Sequence, residues 1–66
     1  MTIQLNGETY EIKEGSTIGD LLTLLNMQNE PIVTELDGQA LTHHDYASSI
    51  LLEGSRVEVI RLAAGG

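Results

Sequence analysis

The dipeptide Asn6-Gly7 constrains this chain more than any other feature in it. The run before it, Thr2-Ile3-Gln4-Leu5-Asn6, alternates polar and apolar residues. The run after it, Thr9-Tyr10-Glu11-Ile12-Lys13, alternates again, with Tyr10 and Ile12 on one face. A period of two belongs to a half-buried strand. Asn-Gly between two such runs is the strongest short-range signal for a tight hairpin, because both residues tolerate the backbone that its turn requires. The chain has 66 residues, enough for one domain at most. A domain of that size buries only about 60% of the surface that its unfolded form exposes, so the rest of the fold has to be simple.

Glu14-Gly15 breaks the second strand, and Ser16 or Thr17 can cap a helix with Asp20 in its first turn. Ile18, Leu21, Leu22 and Leu25 fall at i, i+3, i+4 and i+7, a single apolar stripe. Residues 26–31 end that helix, with Pro31 unable to continue it. Residues 31–36 read as a third strand, Asp37-Gly38 as its turn, and Ala40 and Leu41 as a short fourth strand. Residues 42–49 read as a loop with one helical turn, and Glu53-Gly54 as another turn. Arg56-Val57-Glu58-Val59-Ile60-Arg61-Leu62 is the clearest strand of all. A hairpin followed by one helix can bury the helix's stripe only across the sheet. The last strand is expected beside the first and parallel to it. The expected fold is α+β: a β-grasp with a mixed four- to five-stranded sheet and one main helix across one face. The domain is expected to span 1–62, with 63–66 as a flexible tail.

Composition narrows the function. Ten acids against three bases give a formal net charge of −7. Nucleic acids and anionic membrane surfaces select cationic patches, so neither is an expected partner. The chain has no cysteine, which removes a disulfide scaffold, a thiolate metal site and a cysteine nucleophile together. No transmembrane run or secretory leader is visible, and the expected location is the cytoplasm. A core this small rarely spares the pocket of several hundred Å³ that an active site needs, so a binding or carrier module is expected rather than an enzyme.

Ala63-Ala64-Gly65-Gly66 has nothing to pack with. Terminal glycines usually just fray. The functional alternative is steric: a carboxylate that must enter a narrow site in another protein needs neighbours without bulk. Four extended residues reach roughly 13 Å, enough to cross a wall of partner protein. Small residues on the end of a strand make a thin probe.

Taken together, these residues resemble the ThiS family of sulfur carriers, ubiquitin-like β-grasp proteins of thiamine biosynthesis. The resemblance covers essentially the whole chain. It rests on Ile3-Gln4-Leu5-Asn6-Gly7-Glu8, the Gly15-Ser16-Thr17 step into Leu21-Leu22, the Glu35-Leu36-Asp37-Gly38 turn, the Tyr46-Ala47 pair, and Gly54-Ser55-Arg56-Val57-Glu58-Val59-Ile60 closing on Gly65-Gly66. Ser55 stands where the family more often has aspartate, and Ala64 where many members carry a third glycine. The resemblance implies a mechanism. An E1-like (ThiF-like) adenylyltransferase uses ATP to activate the terminal carboxylate as an acyl-adenylate. Sulfur, usually from a cysteine desulfurase, displaces AMP and leaves a thiocarboxylate. The thiocarboxylate then supplies thiazole synthase (ThiG-like). On this analogy Gly66 carries the sulfur and Gly65 provides the bare approach. The carrier is a co-substrate that binds no cofactor of its own and supplies no acid, base or nucleophile.

Ile60 and Leu62 fall on the strand face opposite that of Val57 and Val59. If the valines face the helix, Ile60 and Leu62 face out, with Ile32 or Leu52 expected nearby. An exposed apolar patch beside a functional tail suggests a docking surface, to which Arg61 can contribute. The spread of acids favours a basic partner surface and a salt-sensitive encounter. Arg56 and Arg61 can pair with acids across the sheet or on a partner. His43-His44-Asp45 lacks a third well-spaced ligand and, if extended, points its two histidines apart, so no metal is expected there. Tyr46 is expected as a core or rim aromatic. Three rivals stand beside the thiazole carrier: a sulfur carrier of molybdopterin synthesis, which usually runs longer; a ubiquitin-like modifier joined to lysines; and a plain β-grasp interaction module.

Overall fold

The computed structural model describes residues 1–62. The tail at 63–66, with its expected free diglycine, lies outside the described residues. The opening hairpin pairs β1 (Thr2–Leu5) with β2 (Glu8–Glu11), antiparallel, in a register running from Thr2 opposite Glu11 to Leu5 opposite Glu8. Asn6 and Gly7 sit at φ of 50° and 83°. Positive φ at both central residues defines the turn whose twist matches that of the strands it joins. The pattern recurs once. β3 (Ile32–Leu36) turns through Asp37 and Gly38, at φ of 50° and 85°, into β4 (Gln39–Leu41).

The helix α1 (Ile18–Leu24) is only 7 residues long, so its ends matter. All four of its first amide donors are satisfied. Thr17 and Asp20 form a reciprocal capping box: Asp20 N–H donates to Thr17 Oγ1 at 3.1 Å, and Thr17 N–H donates to Asp20 Oδ2 at 2.9 Å. Leu21 N–H donates to the carbonyl of Thr17, while Ile18 and Gly19 donate to the carbonyls of Ser49 and Tyr46 in the distant loop. At the other end Asn26 takes φ of 57°, Asn26 N–H bonds the carbonyl of Thr23, and Met27 N–H bonds that of Leu22. That pair of bonds is a Schellman stop. Asn26 therefore terminates the helix. Pro31, read from sequence as the stop, comes later, immediately before β3.

The last strand, β5 (Arg56–Arg61), takes the centre of a five-stranded sheet ordered β2-β1-β5-β3-β4. It runs parallel to β1, as the sequence reading expects, and also pairs antiparallel with β3. Every second residue of the inner strands points at the helix. Ile3, Val57 and Val59 meet Ile18, Leu21 and Leu22, with Ile12 and Leu51 closing the sides. These eight side chains are the core, and burying each contributes about 1.5–3 kcal/mol. One polar group intrudes. Thr34 lies opposite Val59, is 0% exposed, and its hydroxyl has no hydrogen-bond partner.

Residues 43–45 form a 3₁₀ turn, and Tyr46 behind it packs half-buried against the core. His43 and His44 therefore stand on a helical turn, not a strand, and their rings stack with centroids 4.1 Å apart. The strand argument for their pointing apart does not apply. Among the described residues no three His, Cys, Asp or Glu side chains are grouped to hold a metal. No helix of the described residues is long and apolar enough to cross a membrane.

Candidate functional site

The helix covers one face of the sheet. The other face carries alternate residues of each strand, and β5 contributes Arg56, Glu58 and Ile60 to it, all exposed. Beyond the strand, Leu62 N–H donates to the carbonyl of Pro31 at 2.8 Å, which continues the pairing with the β3 side. Ile60 is 52% exposed and Leu62 48%. The sequence expectation that these two look outward is thus met by the geometry. Their neighbour differs from the expected one. Val33, 36% exposed, lies directly opposite Ile60, whereas Ile32 lies opposite Arg61 and packs against the core. Leu52 is exposed, but it precedes β5 instead of lying across from its end.

Arg61 is not brought together with Ile60 and Leu62. It shares the parity of Val57 and Val59, and its guanidinium reaches Glu30 at 2.6 Å from Nη2 and 2.9 Å from Nε. Both partners are substantially exposed, so the pair contributes at most about 1 kcal/mol. It ties the end of β5 to the loop ahead of β3.

Toward the start of β5 the outer face turns acidic. Glu35 lies directly opposite Glu58, an unfavourable placement for two like charges. Glu35, Glu58, Asp37, Gly38 and Arg56 line a shallow depression of about 190 Å³. The outer side of the central strand thus reads acidic at one end and apolar at the other, where the chain leaves toward the tail.

Two turn residues grip β5, a role that sequence reasoning assigned to neither. Asp37 N–H donates to the carbonyl of Arg56 at 2.7 Å, and Arg56 N–H donates to Asp37 Oδ1 at 2.9 Å. On the opposite edge, Asn6 N–H donates to the carbonyl of Val57 at 2.9 Å. The Asn6 carboxamide then makes two more bonds, both to Val59. Oδ1 accepts from Val59 N–H at 2.8 Å, and Nδ2 donates to its carbonyl at 3.3 Å. The residue types fit the bonding. At 37 the backbone already donates, so the side chain only has to accept, and a carboxylate serves. At 6 the side chain must accept and donate together, which a carboxamide does and a carboxylate does not. The sequence signal for both was the Asx-Gly turn itself. What hid the second role was that the turn and β5 are far apart along the chain.

Ser55 also has a defined part. It is buried, and its hydroxyl accepts from Leu52 N–H at 2.9 Å across the turn at Gly54. An aspartate carboxylate could accept the same bond.

Five strands in this order, with a single helix across one face, make a ubiquitin-like β-grasp protein. The chain belongs to the ThiS family, whose model matches residues 3–66. Two solved structures of the thiamine biosynthesis protein ThiS from Geobacter metallireducens resemble it. The crystal structure superposes with a TM-score of 0.85 at 26% identity and covers 100% of both chains. The solution structure gives 0.81 at 28% identity, over 100% of this chain and 88% of that one. Among curated proteins, a thiazole synthase of Magnetococcus marinus is 30% identical across 100% of this chain, which spans only 20% of that protein. An uncharacterised protein of Porphyra purpurea, ycf40, is 29% identical over 100% of this chain and 93% of its own length.

Proposed function

We propose that this chain is a sulfur carrier for thiazole formation, with Gly66 as the group that is loaded. A carboxylate is a poor electrophile until it bears a good leaving group. Its oxygen attacks the α-phosphate of ATP on an E1-like adenylyltransferase, and pyrophosphate leaves. The terminal sulfur of a donor persulfide, such as that on a cysteine desulfurase, then adds to the acyl carbon, and AMP leaves. A thiol next cleaves the resulting acyl disulfide, forming a new disulfide with the donor sulfur and releasing the reduced terminal sulfur on the carrier. The product is a thiocarboxylate tethered to a protein, so it does not diffuse away, and docking selects its recipient. Gly65, Ala64 and Ala63 give the carboxylate a slender approach. Ile60 and Leu62, joined by Val33, form the apolar part of the docking face, while Arg61, paired with Glu30, lies on the other face of the strand. The chain itself acts as a co-substrate and not as a catalyst.

The observation that carries this reading is the family match running through Gly66 on a chain that exposes Ile60 at the end of its central strand and Leu62 just beyond it. The recipient is proposed to be a thiazole synthase. Support for that comes from the full-length likeness of this chain to a part of a much longer thiazole synthase. The test is intact-protein mass spectrometry of the chain after incubation with an E1-like adenylyltransferase, ATP and a sulfur donor. The expected result is a gain matching exchange of one terminal oxygen for sulfur, localised to Gly66. Conjugate ladders on lysines would instead identify a modifier, and an unchanged mass would reject the carrier.

A further inference from the structure

We infer that Asn6 is a positioning residue for the loading of Gly66, which rests on the carrier reading above. β1 pairs with β5 only through Gln4–Arg56 and Leu5–Val57, and then the chain must turn at Asn6-Gly7. Without a further partner the β1-side edge of β5 would be bare from Val59 onward. The Asn6 carboxamide stands in for the missing strand residue. It offers one acceptor and one donor to the N–H and C=O of Val59, as a backbone peptide would. The ladder on that side therefore ends at Val59 rather than Val57. Ile60 is the next residue and carries the exposed docking side chain. Asn6 thus sets where the strand stops being held on both edges, with β3 and Pro31 alone holding it from there to Leu62. A tail that starts from a fixed point gives up less freedom when its carboxylate is threaded into a partner, so holding Val59 lowers the ordering cost of docking. The proposed acyl chemistry is at Gly66, at the far end of the chain from Asn6 in sequence. Asn6 therefore bears on the affinity of the encounter and not on the chemical step.

Two variants separate this role from turn formation. Asn6→Gly keeps a residue that adopts positive φ freely and removes the carboxamide. Asn6→Asp keeps the shape, the turn and the acceptor, but sets a carboxylate oxygen against the carbonyl of Val59. Amide hydrogen exchange on the full chain reads the clamp directly. In Asn6→Gly, Val59 N–H is expected to exchange about tenfold faster relative to Ile60 N–H, which faces β3, with Asn6→Asp in between. Steady-state ATP–pyrophosphate exchange on an E1-like adenylyltransferase reads the consequence. KM for Asn6→Gly is expected to rise about fivefold or more while kcat holds, with a smaller rise for Asn6→Asp. Val59 protection unchanged in both variants would overturn the clamp. Val59 deprotected with KM unchanged, or with the loss falling in kcat, would overturn its positioning role. A wild-type chain that is never loaded overturns the carrier reading itself, an outcome plainly distinct from wild-type loading that the variants leave untouched.

Discussion

Replacing Ile60 by glutamate is expected to slow activation of the C-terminus while leaving the chain folded. About half of Ile60 is already covered, so a partner that docks on this face buries the exposed half. Full burial of an isoleucine side chain contributes about 1.5–3 kcal/mol, so the remaining half is worth about 1 kcal/mol. A carboxylate at 60 also brings a further negative charge close to Glu58 on the same face, and docking would have to strip it of water without a partner group. That adds at least about 1 kcal/mol. Together these predict a loss of roughly 30-fold in kcat/KM for adenylation. The covered half of Ile60, opposite Val33, is lost as well, so equilibrium stability should fall by about 1 kcal/mol while the sealed core keeps the chain folded. The assay is ATP–pyrophosphate exchange with the adenylyltransferase as carrier concentration is varied, alongside urea denaturation of the variant. A kcat/KM within about twofold of wild type, measured on a variant that urea titration shows to be folded under the assay conditions, would remove Ile60 from the interface.

Three other outcomes rest on named contacts and on charge. Thr34→Val exchanges a buried hydroxyl without a partner for a methyl of similar shape, and should raise stability by about 1 kcal/mol in thermal melts; a lower melting temperature would mean that the hydroxyl is satisfied. Asn26→Ala forces alanine into positive φ at the helix stop and should cost about 1 kcal/mol in urea denaturation, whereas Asn26→Gly should be neutral or stabilising; equal stabilities for the two would contradict the Schellman geometry. Because the chain carries a net charge of −7, its association rate with the proposed E1-like adenylyltransferase should fall as salt is raised through the physiological range; stopped-flow rates insensitive to salt would show that the acids play no part in the encounter.

Much of the fold was legible because its signals are local. Asn6-Gly7, Asp37-Gly38, the Ile18–Leu22 spacing and the alternation of residues 56–60 each declare themselves within a few residues. The orientation of Ile60 and Leu62 could be read from period two alone. What stayed hidden depends on register between distant strands. Val33 becomes the neighbour of Ile60, and Ile32 a core residue, only once β3 is set against β5. Arg61 departs from its expected company for the same reason, since its parity places it with the valines. The helix end was placed at residues 26–31, where it falls, but its cause was assigned to Pro31, a conspicuous breaker, whereas Asn26 acts through backbone conformation that its letter only permits. The grips of Asn6 and Asp37 on β5 were invisible because a side chain that shapes a turn gives no sign of bonding a strand much further along the chain.

The central position of β5 also bears on when this protein becomes usable. The strand is translated after all four of its companions, yet it is the one that joins the amino-terminal hairpin to the β3–β4 hairpin. Neither hairpin touches the other in the sheet until that final piece slots between them. Assembly should therefore be all-or-none, with no half-built form able to set Ile60 beside Val33. Under the proposed carrier function, an activating enzyme that recognises the finished sheet would thereby reject immature or damaged copies before any ATP is consumed on them.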